Sequence, residues 1–227
     1  IKNSMTTLYH YPLCPFSRKI RLLLGEQKIG VDLIVERYWE NRKEFITLNP
    51  SGEVPILLSD EITFCGHQAI AEYIENKYEN ILPEDIKTKA ENRRLIDWFD
   101  NKFYREVSKI IINERVEKRF RSIEKGGGLP NTELIRLAIN TMNNHLKYME
   151  YLLERRFWLV SNQIELADLT AASHISCLDY LGDIPWEKFP ELKLWYSRIK
   201  SRPSFRSILI DKIIGIPPRG NYALLDF

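Results

Sequence analysis

Cys14 is the residue whose type and place could do covalent chemistry. It stands in Cys14-Pro15-Phe16-Ser17, and Pro15 suits a first helical turn because its missing N–H would lack a partner there anyway. A thiol just ahead of a helix faces unpaired N–H groups and the positive end of the dipole, which favours the thiolate. Arg18, Lys19 and Arg21 follow closely and add positive charge. Two readings stay open: a nucleophilic cysteine, or a small residue kept for packing. His67 and Gln68 form a second polar pair at the start of a later helix.

The elements that must carry these residues alternate over the first third of the chain. Thr7 to Tyr11 is a β-type run ended by Pro12, and the helix from Pro15 carries Ile20, Leu23 and Leu24 to a stop at Ile29-Gly30. Val31 to Glu36 reads as a second strand and Arg42 to Leu48 as a short helix. Val54 to Leu58 and Ile62 to Phe64 read as strands joined by a hairpin turn, followed by a helix from His67 to Tyr78. The order is βαβ, then ββα. After a linker at 79–86 everything reads as helical: 87–120, 131–156, 166–181, 190–201 and 204–213.

Composition narrows the classes. The 227 residues carry 33 basic and 31 acidic side chains, a net charge of +2. That balance argues against a dedicated nucleic-acid binder, which concentrates basic charge. Three cysteines with no Cys-x-x-Cys pair argue against zinc and for free thiols in a reducing compartment. No apolar run reaches the ~18 residues of a membrane span, and no signal-peptide core precedes Met5. A cytoplasmic protein is expected, with no function given to residues 1–4.

The string Asn49-Pro50-Ser51-Gly52-Glu53-Val54-Pro55 before the third strand, with Leu166-Ala167-Asp168 in the helical half, resembles the glutathione transferase family. The resemblance implies a thioredoxin-like α/β N-terminal domain (5–80), an all-α C-terminal domain (87–214) and a C-terminal tail (215–227). It also implies a cis Val54–Pro55 bond, with Val54 holding the cysteinyl part of glutathione. Cys14 would stand at the family's catalytic position and form a mixed disulfide with glutathione. Trp98-Phe99-Asp100-Asn101-Lys102-Phe103, Glu114 to Arg119, Leu178 to Trp186, Lys200 to Arg206 and Tyr222 to Phe227 narrow the likeness. Over Met5 to Phe227 the chain is similar to the glutathione-transferase-like, FtsZ-binding proteins of alphaproteobacteria. That branch implies a homodimer acting with FtsZ and the division machinery.

The family's acid and serine that grip the γ-glutamyl group precede an Ala-Ile pair; here Gly66 and His67 precede Gln68-Ala69-Ile70. A lost hydrogen bond to a charged group costs roughly 1.5–3 kcal/mol, on the order of 10- to 150-fold in affinity. Val54, Pro55, His67 and Gln68 therefore read as a remnant glutathione site, in which a protonated His67 would restore part of the grip. Glutathione is expected to bind weakly or not at all. Glu165 takes the place of the Ser or Thr that caps the Leu166 helix, a matter of about 1 kcal/mol.

Trp39, in Arg37-Tyr38-Trp39-Glu40, flanks the cleft and is a candidate partner contact, with a tryptophan packed under a loop as the competing reading. The charges of the helix from Arg105 to Lys125 read as a solvated face with i,i+4 pairs. Pro217-Pro218 stiffens the approach to an apolar terminus, where Tyr222, Asp226 and Phe227 are candidate partner contacts. A tail packed on its own domain is the competing reading.

Overall fold

The computed structural model describes residues 6–78 and 85–225. Its first half holds β1 (Thr7–His10), α1 (Pro15–Glu26), β2 (Asp32–Val35), a 3-10 turn (Tyr38–Glu40), α2 (Lys43–Leu48), β3 (Ile56–Ser59), β4 (Ile62–Cys65) and α3 (His67–Lys77). The sheet order is β2-β1-β3-β4. β1 and β2 run parallel with Leu8 beside Leu33, a pairing that needs a crossover, and α1 supplies it. β1–β3 and β3–β4 are antiparallel, with Leu8 beside Leu57 and Leu57 beside Phe64. Asp60 and Glu61 both adopt positive φ, as a two-residue hairpin turn requires. The Val54–Pro55 peptide is cis. α1 ends earlier than expected, where Lys28 turns left-handed with φ 56°.

The second half begins at α4 (Ile86–Asp97), capped by the Asp85 carboxylate on Thr88 N (2.8 Å). The rod continues through π-helical turns (Trp98–Ser108), α5 (Lys109–Ile112), a further π-helical turn (Asn113–Glu117) and α6 (Lys118–Phe120). It is thus one long helix with widened turns. A 3-10 turn (Ile123–Lys125) leads to α7 (Thr132–Leu153), α8 (Leu166–Leu181), α9 (Pro190–Lys200) and α10 (Arg206–Leu209). The helix expected at 204–213 is reduced to a 3-10 turn (Pro203–Phe205) and α10. Its continuation is diverted: Asp211 is held by Arg21 at 2.7 and 3.0 Å, and Ile213 N donates to Tyr180 Oη (3.0 Å) instead of a helical carbonyl.

α8 is buried along its whole length and packs against α1, so one apolar core runs through both halves. Its start is secured without Ser or Thr. Asp168 accepts from Glu165 N (3.0 Å), Leu159 N (2.9 Å) and Trp195 Nε1 (2.8 Å), and a capping box pairs it with Glu165. Burial raises both carboxyls, Glu165 to about 7 and Asp168 to about 6. Among the described residues no helix is long and apolar enough to cross a membrane.

Candidate functional site

Cys14 is the N-cap of α1, and its Sγ points to the Val54 carbonyl at 4.0 Å. It sits at the base of a cavity of about 520 Å³ between the sheet half and the long helix. Leu13, Pro15 and Ile110 give the cavity apolar walls, while Tyr38, Tyr104 and Glu117 give it polar ones. Cys14 itself is only 7% exposed. Burial pushes its thiol up to about 11, against smaller opposing pulls from Ser17 and the Phe16 and Ser17 N–H groups. Near neutral pH the sulfur is therefore a protonated thiol. The helix N-terminus acts in the expected direction, and desolvation outweighs it.

The positive charge expected around Cys14 is committed elsewhere. Arg18, fully buried, donates to Pro12 O (2.6 Å) and Ser176 Oγ (2.8 Å) and lies 3.4 Å from Asp211. Arg21 pairs with Asp211, and Lys19 donates to Asp100 at 2.6 Å. All three basic residues of α1 thus key the sheet half to acidic partners in the helical half. Such pairs cost heavily if one partner is removed.

His67 also differs from the expectation. Its ring stacks on Phe16 with centroids 4.1 Å apart and planes 9° apart, and its Nδ1 lies 3.5 Å from Asp100 Oδ2. Burial carries its pKa down to about 4, with Asp100 opposing. At neutral pH it is an uncharged ring packed over α1, not a cation waiting for a carboxylate. Burial works to raise the Asp100 carboxyl, but Lys19, His174 and His67 together hold it at about 2. Gln68 is exposed and lines a separate crevice with Lys19, Arg93 and Asp97. The structure brings Cys14, Val54 and cis-Pro55 together and leaves His67 and Gln68 outside that cavity.

Both candidate partner aromatics that lie in the described residues are buried, which favours the packing readings. Trp39 is 7% exposed, edge-on to Tyr11 at 4.8 Å and stacked on Phe120 at 6.3 Å. Tyr222 is 1% exposed; its hydroxyl donates to Ile208 O (3.0 Å) and its ring lies 5.8 Å from the Arg18 guanidinium. The tail is fastened from Ile213 to Tyr222 by Tyr180, whose hydroxyl donates to Ile216 O (2.7 Å) and whose carbonyl accepts from Arg219 N (2.9 Å). The reading of a tail packed on its own domain holds for this stretch. Leu224 and Leu225 beyond it are exposed. Asp226 and Phe227 lie outside the described residues.

Tyr38, Tyr104 and Glu117 line the cavity without a sequence motif that marks them. Glu114 and Glu117 sat in a string read as a solvated face, yet both are buried beside the cavity. Their i,i+4 pairs with Lys118 and Arg121 do form. Among the described residues no group of three or more His, Cys, Asp or Glu is arranged to hold a metal ion.

Comparison with known proteins agrees with this architecture. The family profile "Glutathione S-transferase, N-terminal domain" matches residues 8–84, and "Glutathione S-transferase, C-terminal domain" matches 135–203. The chain is 41% identical to FtsZ-localized protein A of Caulobacter vibrioides, over 97% of this chain and 98% of that one. The solved structure of FzlA from C. crescentus superposes with a TM-score of 0.92 at 41% identity, covering 98% of this chain and 100% of the other. A glutathione S-transferase from Sinorhizobium meliloti 1021 superposes with a TM-score of 0.95 at 41% identity, covering 99% and 100%.

Proposed function

The chain belongs to the glutathione S-transferase family, and we propose that this member is an adaptor that binds FtsZ filaments and regulates bacterial cell division. The observation that carries the reading is likeness along nearly the whole chain to a protein named for its localisation with FtsZ. The state of the cleft supports it. A Cys-dependent transferase draws on a thiolate and a grip on glutathione; here burial raises the Cys14 thiol, and His67 packs on Phe16 as a neutral ring. On this reading the protein is a cytoplasmic homodimer concentrated at the division site. The sheet domain (5–80) and helical domain (87–214) form its body, and the tail (215–227) completes its partner surface through Asp226 and Phe227.

Co-sedimentation with GTP-assembled FtsZ in moderate salt tests the proposal. Pelleting that depends on FtsZ polymer is the expected result, and its absence with polymer present would overturn the adaptor reading. A second reading, a thiol transferase using Cys14, rests on one observation: the sulfur stands at the N-terminus of α1 and faces a cavity. Calorimetry with millimolar glutathione at neutral pH, on the native chain and Cys14→Ser, is expected to register no heat in either. Heat that disappears with the substitution would favour the transferase.

A further inference from the structure

The segment between β2 and α2 contributes Tyr38 to the wall of the Cys14 cavity and grips the far end of the long helix. Tyr38 donates its hydroxyl to Glu117, whose other oxygen takes Arg121. Trp39 stacks on Phe120 with centroids 6.3 Å apart and planes at 20°. Two cation–π contacts cross the same seam in opposite directions: Arg37 lies 5.0 Å from the Phe120 ring, and Arg121 lies 5.9 Å from the Trp39 ring. Arg121 is held in turn by Asn113 Oδ1 (2.7 Å).

The base of this loop is pinned independently of its tip. Buried Glu36 takes the guanidinium of Arg42 at 3.1 Å, bracketing residues 37–41 from below. Asn41 ends the loop in the left-handed region with φ 52°, its side-chain amide reaching back to Trp39 O (3.4 Å). A short loop closed at its base and attached at its tip by a few side chains has the build of a hinged element. Tyr38, Glu117 and Arg121 are at once the attachment and part of the wall of the cavity over Cys14.

The geometry points to a latch: residues 37–41 close the mouth of the Cys14 cavity, held by the Tyr38–Glu117 bond and the Trp39–Phe120 stack, and small reagents reach the thiol when the loop lifts. This inference goes beyond the adaptor reading and does not depend on it, because the latch concerns access to a thiol whatever the protein binds elsewhere. It gives Trp39 and Tyr38 a role that burial otherwise leaves unexplained, as parts of a movable contact.

The test is alkylation of the full chain by iodoacetamide at pH 8, with carbamidomethylation at Cys14 and at half-buried Cys65 followed separately by peptide mass spectrometry. The readout is the Cys14-to-Cys65 rate ratio in the native chain, in Tyr38→Phe and in Phe120→Leu. Each variant keeps a ring or an aliphatic side chain in place and weakens one side of the latch. Loss of the charge-assisted bond is expected to raise the open fraction, and with it the ratio, by roughly 10-fold or more. A smaller rise is expected for Phe120→Leu. An unchanged ratio in both variants would overturn the latch, and so would a rise matched at fully buried Cys177, which reports general loosening of the fold.

Discussion

At the Cys14 end of the cleft the parts of a thiol site are assembled: a helix N-terminus, a cis-proline loop with its valine carbonyl, and a cavity with room for a ligand. At the His67 end, the ring packs on Phe16 instead of facing the Cys14 cavity. Phe16, His67, Lys19, Asp100 and His174 form a closed stack of rings around a buried ion pair. At the first end burial keeps the Cys14 thiol protonated; at the second the Lys19–Asp100 pair is buried between the two halves. A transferase needs both ends to work on one molecule. Here one end is architecture, and the ionisation of the other is governed by burial.

Three perturbations would break or sharpen that contrast. The largest effect is expected at the structural end. Lys19→Met leaves the Asp100 carboxylate buried without its cation, and urea denaturation at pH 7 should register a loss of about 3–5 kcal/mol. A loss below ~1 kcal/mol would mean that Asp100 finds compensation and that the pair is not a structural key.

His67 should give the next largest effect, and only in acid. Its folded pKa is about 4 against an ordinary 6.5, so the unfolded chain takes up the proton first as pH falls. The stability tied to this ring is present above pH 6.5 and is lost as pH drops towards 4. His67→Phe should keep the stack on Phe16 and lose less stability between pH 7 and pH 4 than the native chain, by on the order of 2–3 kcal/mol. Equal losses in urea midpoints at the two pH values would show that His67 is not the acid-sensitive group.

The smallest effect belongs to the end that looks catalytic. Cys14→Ser should change stability at pH 7 by no more than about 1 kcal/mol. With the thiol pushed up to about 11, the alkylation rate of Cys14 should still climb about tenfold per pH step of one between pH 7 and pH 10. A plateau near pH 8 would reveal a stabilised thiolate and reverse the comparison between the two ends.

Much of the fold was legible from local signals. Asn49 to Pro55 announced the cis-proline loop, Ile62 to Phe64 after Ser59-Asp60-Glu61 announced the hairpin, and the α8 bounds at 166 and 181 follow from its sequence pattern. The hairpin and the helix bounds rest on turn chemistry and periodicity, which act over a few residues, and the cis bond on the likeness of Asn49 to Pro55 to a family motif. The site was legible only in part. Cys14 and Val54 do meet, but His67 reads as a polar helix start until Phe16 is placed beneath it. Glu117 reads as one half of an i,i+4 pair until Tyr38 arrives from far earlier in the chain.

By itself, then, the sequence determined the two-part architecture, the family and the identity of the residues around the cleft. The tertiary structure decided what those residues are chemically. Arg18, Lys19 and Arg21 look like a positive field for a thiolate while only their neighbours in the chain are known. Folding delivers Asp211 and Asp100 to them and spends that charge on joining the two halves. Trp39 and Tyr222 look like surface anchors until Phe120 and Arg18 cover them. Ionisation and exposure depend on which distant groups remove water from a side chain, and that is settled only when the helices close over the sheet.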